Sequence, residues 1–346
     1  LGDLIQNENS GGIEMKIDIA AHILPMKYKD ALYKTVDSKF NLQNVIETLP
    51  TLYDLDHRFR IMDKFEGLMH VLTLSAPAVE EFAGPDKSPD LAKLVNDEMA
   101  ELVLKHPDRF VAAIACLPMN NAGAALKEID RAIKDLKFRG IQIETPIDHK
   151  PLDSPEFMPI YEKMAHYNLP IFIHPMRTAD FADYRTENRS KYMIFHVFGW
   201  PYETAAAITR LVFSGVLEKY PNLKLVTHHC GGMVPFLEER IKGAYDHAEM
   251  LRGARYKEGL TKTPIDHFKA FYYDTAIYGN TAALMCGLAF CGADHMVFGT
   301  DLPYDSQFGE RYTRQTIEAI EMMDIGDLEK KMIFEENAKK LLRLPI

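Results

Sequence analysis

Ile171-Phe-Ile-His174-Pro175 is an apolar run that ends in a side chain able to bind metal or move a proton, closed at once by proline. A strand buried on both faces reads as such a continuous apolar run, and Pro or Gly marks the loop where it stops. The pattern recurs in Asp18-Ile-Ala-Ala-His22-Ile-Leu-Pro25, Thr227-His-His-Cys-Gly-Gly232 and Phe298-Gly-Thr-Asp301-Leu-Pro303. Separate strands therefore deliver His22, His174, the His228–His229 pair and Asp301 at equivalent ends. A parallel barrel builds its active site in this way.

Working outward, eight strands are expected, at Lys16–Ile19, Met69–Leu74, Phe110–Leu117, Gly140–Glu144, Ile171–His174, Lys224–Thr227, Ala270–Asp274 and His295–Gly299. Helical patterns lie between them. Leu91–His106 and Ala124–Leu136 carry apolar residues at three-to-four spacing, and further helices are expected at Ser154–His166, Tyr202–Tyr220, Met233–Leu251, Thr281–Cys291, Thr313–Met323 and Ile333–Leu342. Repeated strand-then-helix units mean parallel pairing with right-handed crossovers. The expectation is an α/β fold, a single (β/α)8 TIM-like barrel over residues 15–346. No GxGxxG or GxxxxGK[ST] follows a strand, which weakens an open, nucleotide-binding sheet. Residues 1–14, rich in Gly, Asn and Ser, read as a leader or disordered arm before a natural start at Met15. The connection at about 25–56 is long for a βα loop and reads equally as a lid or as a packed surface excursion.

The 346 residues are 47% hydrophobic and 26% charged, with a formal net charge of −10. That balance, without a dense Lys/Arg run, argues against nucleic acid. No apolar stretch is long enough for a membrane helix, and no signal pattern opens the chain. The four cysteines, Cys116, Cys230, Cys286 and Cys291, lack CxxC spacing. Reduced buried thiols in a cytoplasmic protein are expected.

A solitary histidine on an apolar run is more often a satisfied core residue, and a lone Asp before a turn is more often a turn former. Their placement at equivalent strand ends reverses both readings. Neutral imidazoles and a carboxylate suit Zn²⁺ or a similar divalent ion, and a histidine off the ion could move a proton near neutral pH. Adjacent strand histidines point to opposite faces, so only one of His228 and His229 should face the barrel mouth.

The ordered set DIxxHILP, IFIHP, HCGGMVP and FGTDLP resembles the amidohydrolase superfamily. In particular it resembles the amidohydrolase-related (amidohydrolase 2) branch of aminocarboxymuconate semialdehyde decarboxylase and the hydroxybenzoate decarboxylases. The likeness extends from Met15 nearly to the C-terminus through RFVAAIACLP at 109–118, FRGIQIET at 138–145, the 203–225 stretch, YYDTA at 272–276 and the ENAKKLLRL tail. It implies a metal held at positions 20, 22, 174 and 301, with the strand-six histidine, His229, assisting proton transfer and His228 its structural neighbour. Position 20 is Ala20, which cannot ligate. His22, His174 and Asp301 remain, enough for a catalytic zinc site. Asp18, two residues earlier, has the parity to serve as a replacement ligand or to orient an imidazole.

The resemblance implies non-oxidative decarboxylation of an aromatic or conjugated unsaturated carboxylic acid, with His229 or Asp301 protonating the carbon that has lost CO₂. Metal-dependent hydrolysis of a C–N, C–O or C–C bond uses the same residues and stands as the alternative. A metal-free, inactive barrel that serves as a binding protein is a second alternative, raised by Ala20. Zn²⁺ is the expected ion and Mn²⁺ an acceptable one. A carboxylate substrate wants an Arg, for which Arg58, Arg177 and Arg240 qualify, each with a surface or salt-bridging role as the plain alternative. Phe198 and Trp200 suit stacking on a planar ring, or are core. The resemblance also implies a homodimer.

Overall fold

The computed structural model describes residues 15–35 and 42–346. The 1–14 leader lies outside the described residues. Among the described residues the eight strands are β1 (Lys16–Ile23), β2 (Leu68–Leu74), β3 (Phe110–Ala113), β4 (Ile141–Thr145), β5 (Pro170–Pro175), β6 (Lys224–Thr227), β7 (Tyr272–Asp274) and β8 (Met296–Val297). Every laddered pair is parallel. The ladders form two sheets, β1-β2-β3 and β4-β5-β6-β7-β8. Single bridges join them at both seams, Ala115 to Ile141 and Ala21 to Leu302. Backbone donors reinforce these seams, Ile19 N on Phe298 O at 3.0 Å and Ala115 N on Gly140 O at 2.9 Å. The chain thus runs in strand order around a (β/α)8 barrel, the expected class.

Strand lengths differ from expectation at the seams. β3 and β8 are shorter than their apolar runs, because residues such as Ala115 and Leu302 pair singly beyond the ladder. β1 is longer, because His22 and Ile23 continue the pairing against Thr73 and Leu74.

Inside the barrel Ile17, Ile19, Val71, Ala112, Ile114, Phe172, Val226 and Val297 form one apolar cluster with Ala338, Leu341 and Leu342 of the helix Asn337–Leu342. Those strand residues precede the histidines along their strands, so the last helix closes the end away from the site. A larger cluster fills the space between strands and outer helices. At about 25 cal/mol per Å² of apolar surface removed from water, these contacts dominate the folding free energy. The helices begin where side chains satisfy their open N–H groups. Asn121 accepts from Ala124 N at the start of Ala122–Lys134, and Asn280 from Ala283 N at the start of Thr281–Cys291.

The segment expected as an insertion, 25–56, contains the helices Met26–Thr35 and Leu42–Glu47 and leads into the helix Leu55–Met62. Its described part is packed. Tyr28 and Leu32 are buried, and the Glu98 carboxylate accepts from Lys27 N at 3.0 Å and Tyr28 N at 2.7 Å. No helix among the described residues is long and apolar enough to cross a membrane.

Candidate active site

His22, His174 and Asp301 come from β1, β5 and the turn after β8, and one ligand-capable atom of each lies within 4.8 Å of the other two. All three are buried. His22 Nε2 stands 3.2 Å from Asp301 Oδ1. Yet His22 Nε2, His174 Nε2 and Asp301 Oδ1 have no hydrogen-bond partner. Buried polar atoms are nearly always satisfied, so three orphans in one triangle fit a divalent ion.

The opposite nitrogens are occupied. His174 Nδ1 lies 3.0 Å from Glu144 Oε2, and His22 Nδ1 lies 3.1 Å from Thr73 Oγ1 and 3.3 Å from Leu74 O. Each ring is thus turned with Nε2 toward the centre, the arrangement by which metal-binding imidazoles are held. Burial pushes the Asp301 carboxyl up, but His22 and His229 outweigh it and hold it well below the usual carboxylate range. Burial likewise opposes charge on His174, but the Glu144 carboxylate prevails and raises it.

The adjacent histidines do not alternate. β6 ends at Thr227; His228 is still extended, while His229 turns left-handed at φ 55° into a tight turn. The period-2 rule lapses where the strand stops. Both rings enter the cluster, with centres 5.0 Å (His228) and 6.1 Å (His229) from that of His174. His229 Nε2 is 3.5 Å from Asp301 Oδ2. His228 is fully buried, its Nδ1 is 2.9 Å from Asp274 Oδ2, and burial pushes its imidazole down to about 4.

Asp18 is not a ligand. Its oxygens accept from Ala20 N (2.9 Å), Thr300 N (3.1 Å) and Thr300 Oγ1 (2.5 Å), tying β1 to the turn that carries Asp301. The register shift between Asp18 and Ala21 also removes the parity that would have aligned it with position 20. Arg58 is not at the mouth either. It is fully buried, with Nε on Thr51 O at 3.1 Å, Nη1 3.2 Å from His70 Nδ1 and Nη2 on the His22 carbonyl. A fully buried guanidinium with those bonds supports the backbone at His22 and is not exposed toward a substrate. Phe198 is 66% exposed and Arg240 lies exposed on Glu238–Arg252, and neither makes a ring contact or ion pair with the cluster among the described residues. Trp200 does join it, 5.5 Å from His174 and 6.0 Å from His229 between ring centres. Arg177 sits beside it, accepting Trp200 Nε1 on its carbonyl at 2.9 Å, with Nη1 3.6 Å from Glu203 Oε2.

The family model described as Amidohydrolase matches residues 17–344. The chain belongs to the amidohydrolase family. Within it, the chain is 27% identical to the 2-amino-3-carboxymuconate-6-semialdehyde decarboxylase of Dictyostelium discoideum, covering 95% of this chain and 92% of that one. It is 29% identical to a gamma-resorcylate decarboxylase of Polaromonas sp. strain JS666, covering 84% and 87%. Among solved structures, a dihydroxybenzoic acid decarboxylase from Polaromonas sp. JS666 with bound manganese and 2-nitroresorcinol superposes with a TM-score of 0.77 at 26% identity, covering 96% and 97%.

Several site residues escaped the sequence reading. Glu144 is the penultimate residue of β4 and Asp274 the last of β7, positions like that of His174 on β5, although Gln142 interrupts the apolar run of β4. Tyr278, whose hydroxyl donates to Asp301 Oδ2 at 3.2 Å, Tyr304, 5.6 Å from the His22 ring, and His196, 4.4 Å from Trp200, lie in loops or short turns without such a signal.

Proposed function

We propose that this amidohydrolase is a metal-dependent, non-oxidative decarboxylase of an aromatic or conjugated unsaturated carboxylic acid. The observation that carries the reading is the triangle of unpartnered atoms on His22, His174 and Asp301, roofed by Trp200, in a chain whose relatives are decarboxylases. When bound, a divalent ion supplies Lewis-acid charge that holds the substrate's carboxylate or neighbouring hydroxyl. Zn²⁺ is the ion we expect and Mn²⁺ the alternative, the latter supported by the Polaromonas neighbour.

The chain's own residues do the rest. Trp200 presents an aromatic face beside the cluster, suited to a planar ring. Arg177, whose carbonyl holds Trp200, is the candidate cation for a second anionic group on the substrate. As the carbon–carboxyl bond breaks, its electron pair stays on the substrate carbon and CO₂ leaves; His229 delivers the proton that carbon takes up. Asp301, held ionised, keeps the neighbouring imidazole oriented for that transfer. Four free cysteines support a reducing, cytoplasmic setting. Exposed Tyr192, Met193, Val197 and Phe198 on the segment leading into Trp200 support a homodimer.

The test is metal content after exhaustive dialysis, followed by CO₂ release from a panel of hydroxybenzoates and conjugated unsaturated acids. About one Zn²⁺ or Mn²⁺ per chain is expected, with turnover lost on chelation and restored by the ion. His174→Ala and Asp301→Ala should abolish it with the fold retained. Full turnover in both variants, or a wild-type chain that never takes up metal, overturns the assignment.

A further inference from the structure

His228 shares two features with the two histidines already placed at the metal, an oxygen close to Nδ1 and an unpartnered Nε2. In His22 and His174 an oxygen at a strand end faces Nδ1, and Nε2 is buried without a partner. In His228 the Asp274 carboxylate at the end of β7 lies 2.9 Å from Nδ1, at ion-pair distance though without the alignment of a hydrogen bond, and Nε2 is likewise buried without a partner. A carboxylate behind one ring nitrogen and an unused lone pair in front is how proteins present an imidazole to a metal. His229 differs, since its one carboxylate at ion-pair distance among the described residues, Asp301, faces Nε2 and not Nδ1.

The ring positions agree. Two imidazoles on one ion, each bonded at about 2 Å through nitrogen, hold their ring centres roughly 4.5–6.5 Å apart, from adjacent to opposed. His22 and His174 are 5.2 Å apart, His174 and His228 5.0 Å, and His22 and His228 6.3 Å. His228 stands outside the 4.8 Å triangle of ligand atoms, so ligation draws its ring in by a side-chain rotation.

Ala20 supplies the reason for a change of donor. It is fully buried and brings no ligand atom. Gly299 separates it from the carboxylate beside His228: a Cβ on Gly299 would meet Ala20 Cβ at 3.1 Å and Asp274 Cβ at 3.2 Å. Position 20 and the Asp274–His228 pair therefore border the same part of the barrel interior.

We propose that His228 is the fourth protein ligand of the metal, replacing from the residue after β6 the donor that Ala20 does not provide on β1. The proposal rests on His22, His174 and Asp301 forming the metal site. Its consequence is that the two adjacent histidines divide the work, His228 on the ion and His229 on the proton.

The experiment measures metal affinity by chelator competition and the visible absorption of the Co²⁺-substituted full chain, neither of which depends on turnover. His228→Ala should bind at least about 100-fold more weakly, beyond the 10- to 100-fold range of a residue that only orients a ligand, with an altered Co²⁺ spectrum. His228→Gln, which keeps the space filled, should show the same spectral change. Ala20→His added to His228→Ala should recover affinity, and Asp274→Asn should fall within the smaller range. Wild-type affinity and an unchanged spectrum in folded His228→Gln overturn the proposal. Loss of metal in a parallel His174→Ala sample then shows that the His22–His174–Asp301 reading stands without it. A wild-type chain that takes up no Co²⁺, Zn²⁺ or Mn²⁺ overturns both.

Discussion

His174 keeps its orientation through Glu144, whose other oxygen, Oε1, accepts from Gln142 Nε2 at 3.2 Å. Glu144→Gln leaves the ligand in place but removes the charge behind it. The expected result is metal affinity lower by about 10- to 100-fold with an unchanged circular dichroism spectrum, checked by chelator competition. Glu80 offers a pH test away from the ion. It lines a small cavity with Glu144, Gln142 and Cys116, and its Oε2 is buried without a partner. Burial, with Glu144 and Glu81 adding repulsion, pushes its carboxyl up to about 8. An unfolded chain gives up that proton near the usual 4.5. Between those values the folded state binds the extra proton, so stability falls as pH rises and the loss is complete above about 8. Urea denaturation at pH 5 and pH 9 should show Glu80→Gln losing less stability than wild type over that interval, by on the order of a few kcal/mol. Equal losses in the two proteins would show that the carboxyl is ionised throughout.

At the scale of the element, the turn after β6 decides how the two histidines are used. His229, Cys230, Gly231 and Gly232 all have positive φ, and a Cβ on Gly232 would lie 2.3 Å from the Pro201 carbonyl oxygen. The close approach locks this turn against the start of the helix Gly199–Phe213, which carries Trp200. Gly232→Ala meets both a left-handed backbone, worth about 1–3 kcal/mol, and that oxygen. The turn must move, and His229 with it. The expected signature is a fall in kcat larger than any fall in metal affinity, because His22, His174 and Asp301 come from other elements and His228 precedes the left-handed residues of the turn. Loss of metal along with kcat would place the turn's influence on the ion instead.

For the whole molecule, the proposed metal site is also a staple between distant parts of the chain, since His22, His174 and Asp301 come from β1, β5 and the turn after β8. An ion bound only by the folded state stabilises by about 2.7 kcal/mol when it exceeds its Kd 100-fold. Removing it should lower Tm by on the order of several degrees, and restoring Zn²⁺ or Mn²⁺ should reverse the shift in differential scanning calorimetry. A metal-independent Tm would mean that the barrel does not feel the ion. The exposed apolar segment around Val197 and Phe198 adds a second test at this scale. If it is the homodimer contact, Phe198→Glu converts a dimer to monomers in analytical ultracentrifugation; an unchanged mass places the contact elsewhere.

What the sequence determined by itself was the barrel and the ends of its strands. A strand buried on both faces must be apolar along its length, so His174 before Pro175 and Asp301 before Leu302-Pro303 stand out locally. Ala20 was legible in the same way, as a position without a donor. Only the tertiary structure decided which groups back those ligands. Glu144 is 30 residues from His174, and the Leu74 carbonyl 52 from His22, and both reach their histidines because neighbouring strands lie in register. The same holds for the residues that fell differently. Arg58 is drawn into the wall by the His22 carbonyl, 36 residues away, and His228 turns inward beside His229 because β6 stops at Thr227 and a left-handed turn replaces strand alternation. Local patterning records what burial demands of a segment; partners across a barrel are set by strand order and register, which no single segment contains.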